Sequence, residues 1–414
     1  MKKMKTILSL ILICAILTLS ACTTQEKNLM EDIKPNQVNV SAAPLSQDEA
    51  VTDFAVRLFR ASEKSGENTL ISPLSVLCAL AMTANGAENG TLEEMEAVLG
   101  MSKEALNLYL HSYMENLPQN EHCKLSLANS VWFKEDESFT VKEDFLQVNA
   151  DYYNADVYQA PFNEQTCEDI NQWVKEKTDG MIPKMLDQLT PDAVMCLINA
   201  LAFEAQWAEV YEDIQVREGV FTKEDDTTYE VEFMHSEERT YLEDEKATGF
   251  MKPYKGGKYA FVALLPKEGV SVSEYVASLD GTALHNLLST PTNVKVITSI
   301  PKFETAYDVE MNEILKEMGM PTAFDADHAD FSALGQSTKG NICISMVLHK
   351  TYISVAEQGT RAGAATSVIM DAGGALLEPE EWKEVRLDRP FVYMLIDCEK
   401  NIPFFIGTMM DIER

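Results

Sequence analysis

Positive charge is scarce in this chain. Its 414 residues carry 34 Lys and Arg against 66 Asp and Glu, a formal net charge of −32. So acidic a surface repels nucleic-acid phosphates and anionic membranes, supports solubility and favours cationic protein partners. Paired cysteines are missing as well. Cys78, Cys123, Cys167, Cys196, Cys343 and Cys398 form no C-x-x-C pair and lie mostly in apolar runs. They read as buried small hydrophobes, neither a disulfide frame nor a metal site. No apolar run is comfortably long enough to span a bilayer. The sequence also has no G-x-S-x-G elbow, H-E-x-x-H pair, G-x-x-x-x-G-K-[ST] loop or G-x-G-x-x-G turn, which removes the usual warrants for an enzyme. His111, His122, His235, His285 and His328 are scattered without ligand spacing and read as surface residues. His349 differs, lying between Met346–Leu348 and Tyr352–Val355, where a histidine reads as a satisfied core residue. Ser72 and Ser75 have no Asp or His tied to them by sequence. Neither catalysis, a cofactor nor a metal is expected.

What is present begins at the N-terminus. Met1–Lys5 is a basic start and Thr6–Leu19 an apolar stretch of about fourteen residues, the pattern of an export signal. It ends in Leu19-Ser20-Ala21-Cys22, which is similar to the lipobox of bacterial lipoproteins, where the cysteine is acylated. Residues 1–22 therefore read as a lipoprotein signal and 23–45 as a polar, flexible tether. The expected location is outside the cell, anchored through Cys22 or secreted.

Residues 46–414 read as one domain, with hydrophobic content of 46% and charged content of 24% typical of globular chains. Asp48–Arg60 has helical spacing. Asn68–Ser75 reads as a short strand stopped by Pro73, before a helix over Val76–Asn85 so apolar that it must be buried all round. Gly86–Gly100 reads as a helix with Thr91 as cap, and Asn171–Thr178 as a helix ending near Gly180. Strands are expected at Leu125–Phe133, Asp156–Tyr158 and Val194–Phe203, then at Val220–Phe221, Thr228–Met234, Tyr259–Leu265, Val294–Pro301 and Ile342–Val355. Helices are expected at Val272–Leu279 and Val309–Met318. Helices mostly first and strands mostly later, without strict alternation, predict an α+β fold.

One stretch, Glu357–Gly373, is small, alanine-rich and free of proline. Taking alternate residues, Thr360, Ala362, Ala364, Thr366, Val368, Met370 and Ala372 are all uncharged, whereas Arg361 and Asp371 fall on the other set. Alternation of period two is what a strand with one buried face needs. The stretch thus reads both as an exposed loop and as a strand of a sheet.

Taken together, Asn68–Ser75, Asn171–Val174 with Thr178 and Gly180, Asn199–Phe203 with Trp207, Ile300–Phe303, Ala329–Ser332, Glu357–Thr360, Arg389–Phe391 and Pro403–Gly407 resemble the serpins, in order and at family spacings over roughly residues 46–414. The resemblance implies three β-sheets with eight or nine helices and a reactive loop that baits a serine protease. It implies that the cleaved loop inserts into the central sheet and carries the acylated protease with it. Glu357, Gly359, Thr360, Ala362, Gly363, Ala364 and Ala365 match the hinge. Ser72, Ser75, Asn199 and His349 match the shutter beneath the sheet, and Trp207 the breach at the point of entry. Glu204 stands where the family commonly has lysine. Counting from Glu357 places the reactive bond at Gly373–Gly374; counting back from Arg389-Pro390 places it near Pro379, and the window runs from Met370 to Leu377. That window holds no Lys or Arg, so elastase-like or chymotrypsin/subtilisin-like targets are expected and trypsin-like ones are not. The other readings are a non-inhibitory surface binding protein and an inhibitor of papain-like cysteine proteases. A monomer is expected.

Overall fold

The computed structural model describes residues 26–39, 45–190, 192–360 and 381–412. Among them are nine α-helices and three sheets, the mixed architecture expected. The central sheet is built from β1 (Lys27–Asn28), β2 (Cys123–Lys134), β3 (Asp156–Ala160), β4 (Met195–Gln206), β5 (Phe303–Glu310), β6 (Met346–Ala356) and β7 (Gly359–Thr360), ordered β1-β3-β2-β4-β7-β6-β5, with the short strand Gln119–Asn120 paired to the start of β2. A second, nine-stranded sheet runs from Trp382–Arg386 at one edge to Thr69–Ile71 at the other.

Ser72 caps the helix Pro73–Ala84, its hydroxyl accepting from Ser75 N–H at 3.3 Å, and Pro73 occupies the first turn, where its missing N–H costs nothing. Every residue of this helix is buried. It lies between β2 and β4 on one side and the strand Ile402–Met409 on the other, which is why its sequence shows no polar face. The opposite face of the central sheet carries a smaller apolar cluster. There Cys167, Ile170, Trp173 and Val174 of the helix Glu164–Lys177 pack with Trp132, Cys196, Ile198 and Leu348 of the strands. The cysteines are free; four of the six are buried, and Cys343 and Cys398 are half-buried.

Four local expectations need correction. The flexible tether does not describe residues 26–39, which lie along the domain. β1 pairs with β3, Leu29, Met30 and Ile33 pack against the core, and Asn36 N–H donates to Asp151 Oδ1 at 2.7 Å. An open sheet edge supplies partners that a polar sequence does not advertise. The helix expected from Val309 begins at Asn312, because Phe303–Glu310 alternates as the edge strand β5. Thr91 is not a cap. It sits inside the helix Asn89–Leu99, and its hydroxyl accepts from Asp330 N–H at 2.9 Å. The run from Ile342 enters the ladder only at Met346, Ile342 and Ile344 serving as core residues before it.

Candidate functional site

The site is the seam between β4 and β6. These strands pair in parallel from Cys196↔Met346 to Ala200↔Lys350, and there the ladder stops. At the far end of the gap, β7 has entered between them. Thr360 pairs with Ala205 on one side and Val355 on the other, and Gly359 with Gln206 and Ala356. The sheet is therefore zipped at one end, wedged by two hinge residues at the other, and open between Leu201–Glu204 and Thr351–Ser354.

The wedge is held by many contacts. Thr360 is 1% exposed, and its hydroxyl meets Tyr254 Oη at 2.5 Å. The Trp207 indole stacks on the Tyr254 ring, centroids 4.5 Å apart and planes at 8°. It also donates from Nε1 to Ala356 O at 2.8 Å. The backbone N–H groups of Trp207 and Tyr211 donate to Gln358 O and Glu357 O, both at 3.0 Å. Glu357 and Glu232 share the Lys302 ammonium at 2.7 and 2.9 Å. Burial works against the Glu357 carboxylate, yet the lysine outweighs it and keeps its pKa below the ordinary value. Beneath Trp207 lies a buried ion pair, Lys252 to Glu238 at 2.8 Å, with the ammonium 4.4 Å from the Tyr211 ring centroid. Tyr254, Lys252 and Glu238 carried no signal in the sequence, since only the fold brings them to Trp207.

Gly359 is required by geometry. Its φ is +150°, and a Cβ there would lie 2.0 Å from Ala205 O, closer than any side chain tolerates. Gly359→Val is expected to expel β7, lowering stability by about 2–3 kcal/mol. Thermal unfolding measures this, together with a change in fluorescence at Trp207 as its cover leaves.

At the zipped end, Ser72, Ser75, Asn199 and His349 converge. Ser72 N–H donates to His349 Nε2 at 3.0 Å, so the ring proton resides on Nδ1 and is donated to Asn199 Oδ1 at 2.6 Å. That oxygen also accepts from Ser75 Oγ at 3.1 Å, and Asn199 Nδ2 donates to Leu348 O at 3.1 Å. His349 is 1% exposed, and burial pushes its pKa down to about 3. The imidazole is neutral, and it bridges β6, β4 and the helix below with directed bonds.

Glu204 lies directly opposite Lys124 on β2, whose ammonium pairs with Asp179. Ala362, Gly363, Ala364, Ala365, Gly373, Gly374, the window Met370–Leu377 and Cys22 lie outside the described residues. Among the described residues no group of three or more His, Cys, Asp or Glu side chains is arranged to hold a metal ion. No helix there is long and apolar enough to cross a membrane.

Residues 49–412 match the family model described as serpin (serine protease inhibitor). The fold is similar to the crystal structure of tengpin, a thermophilic serpin, in its native state: TM-score 0.89 at 49% sequence identity, covering 94% of this chain and 100% of that one. An uncharacterized serpin-like protein of Thermococcus kodakarensis is 30% identical over 375 residues, 87% of this chain and 85% of its own. Human serpin B8 is 30% identical over 374 residues, 87% of this chain and 97% of its own. The chain belongs to the serpin family.

Proposed function

We propose that the protein is a suicide-substrate inhibitor of extracellular serine proteases, elastase-like or chymotrypsin/subtilisin-like, exported and anchored through an acylated Cys22. The observation that carries this reading is the two-residue wedge above an open seam. Continuing the register of β7 down β4 and β6 brings Thr366 between Asn199 and His349, and Met370 level with Met195. Thr360 turns its side chain into the core, so Ala362, Ala364, Thr366, Val368 and Met370 follow it inward on the alternate set. All are small or apolar enough to be buried there, which is the composition an inserting strand requires.

The sequence of events follows. The protease serine attacks a carbonyl within Met370–Leu377, the peptide bond breaks and the acyl-ester forms. The freed strand zips into the seam before water can release the ester. About ten further residues then gain a ladder on both sides. At about 0.5–1.5 kcal/mol net per hydrogen bond, with apolar burial added, insertion releases on the order of 10 kcal/mol or more. The ester moves by roughly ten residues at about 3.3 Å each, some 33 Å along the sheet.

Incubation with pancreatic elastase or subtilisin is expected to yield a complex that survives SDS, with mass spectrometry placing the cut between Met370 and Leu377. Cleavage by these and by papain-like proteases with no stable complex would overturn inhibition. A melting temperature unchanged by nicking the loop would then favour a binding protein.

A further inference from the structure

The central sheet has two distinct ends. Thr360, Ala205 and Cys123 lie at the hinge end, whereas Phe133, Met195 and Ala160 lie at the other. β1 runs antiparallel to β3, Lys27 opposite Gln159 and Asn28 opposite Tyr158. Glu26, just ahead of Lys27, therefore lies at the end opposite the hinge. Lys27 is level with Met195 and Thr360 with Ala205, a separation of ten residues or about 33 Å. An anchor at Cys22 would hold this far pole to the bilayer and present the loop on the side away from it. From Cys22 to Glu26, which sits beside Asp169 of the helix Glu164–Lys177, the chain reaches at most about 14 Å.

The inserting strand runs antiparallel to β4 and leaves the sheet at that same far pole, four strand positions from β1, or about 19 Å to the side. A protease domain of about 220 residues is roughly 45 Å across. It cannot enter a gap of about 14 Å. We propose that residues 26–39 are a releasable spacer between the domain and its membrane: docked, they hold the far pole close to the bilayer, and on loop insertion they peel away to admit the trapped protease. This rests on the anchored, loop-inserting reading above. Released as far as Leu45, the chain from Cys22 reaches about 80 Å. The attachment suits release. It consists of a two-residue ladder, Leu29 N–H to Val157 O at 2.8 Å, three half-buried apolar side chains, Gln147 Nε2 to Lys34 O at 2.9 Å and the Asn36–Asp151 bonds.

The test staples the spacer down with Lys27→Cys and Gln159→Cys, which face each other across β1 and β3. The lipidated chain in phosphatidylcholine vesicles is compared with its soluble Cys22→Ser form, using whichever of elastase or subtilisin cleaves the loop. The quantity read is the fraction of cleaved chains that end as SDS-stable complex. The oxidised, anchored protein is expected to form at least tenfold fewer complexes than the oxidised, soluble one. Dithiothreitol, or twenty Gly/Ser residues inserted after Cys22, restores them. Equal trapping by the stapled protein on vesicles and in solution overturns the spacer, as does a loss that the inserted linker fails to rescue. Should the first staple prevent folding, Asn28→Cys with Tyr158→Cys, the next facing pair of β1 and β3, supplies a second under the same criteria. No complex from the unstapled soluble form overturns inhibition, and no partition of the wild type into vesicles overturns the anchor; either result takes the spacer with it and is separately recognisable.

Discussion

Thr360→Arg is expected to convert the protein from a trap into a substrate. Thr360 is buried, touches Tyr254 and is flanked by backbone on both sides, so a guanidinium there has no water and no carboxylate. Burying an unpaired charge costs several kcal/mol, and about 3 kcal/mol on the barrier to insertion slows it more than a hundredfold. The acyl-ester would then hydrolyse before the strand closes. The expected readout is full cleavage of the loop with complex yield reduced at least a hundredfold. Arg361→Glu is the control. It changes charge by two at the neighbouring position, but on the alternate set that an inserted strand would turn outward, so complex formation is expected to stay within about twofold. Equal complex yield from Thr360→Arg and the wild type would mean that the wedge does not lead insertion.

The second large effect concerns acid. His349 is held neutral, accepting from Ser72 and donating to Asn199. A second ring proton would set donor against donor at Ser72 N–H. Its folded pKa of about 3 lies below the 6.5 of a free imidazole, so below pH 6.5 the unfolded chain binds a proton that the folded chain refuses. Stability from this group is therefore complete above pH 6.5 and is lost as pH falls towards 3, by about 1.4 kcal/mol per pH unit. Urea unfolding at several pH values is expected to show this slope as the difference between the wild type and His349→Gln. At pH 7 the variant should be less stable by about 1–3 kcal/mol, because buried partners lose their bonds. A parallel pH dependence in the two proteins would show that the imidazole does not govern it. The same bond would link stability to the proposed function: insertion in the register of β7 would bring Thr366 between Asn199 and His349, and the Nδ1–Oδ1 bond would have to break.

Much of this was legible in the chain because it is local. The buried helix Pro73–Ala84 announces itself by having no polar face, Met195–Gln206 by an unbroken apolar run, and the loop by alternation. After the helix Glu164–Lys177, capped at Thr178, Asp179 and Gly180 both turn left-handed, φ +50° and +75°, and Gly180 N–H donates to Lys175 O at 2.7 Å, closing the helix end. What failed was what depends on a partner. Lys27–Asn28 pairs two poor strand formers, and only the open edge of β3 makes them a strand. β5 alternates clearly, but only its last two residues, Val309 and Glu310, fall in the helix expected at Val309–Met318, and the strand Phe303–Glu310 went unread.

The candidate site divides in the same way. Its hinge and shutter residues could be named from sequence, because their types and spacing carry the resemblance. Their arrangement could not. That His349 is neutral, that Lys252 and Glu238 form a buried pair under Trp207, and that two hinge residues are already seated all depend on strands far apart in the chain meeting at one seam. Sequence alone determined which residues are able to become a strand, since side-chain size and period are local properties. Tertiary structure alone decided where that strand has begun and at which end of the sheet Lys27 lies, because register is set by pairing between distant segments.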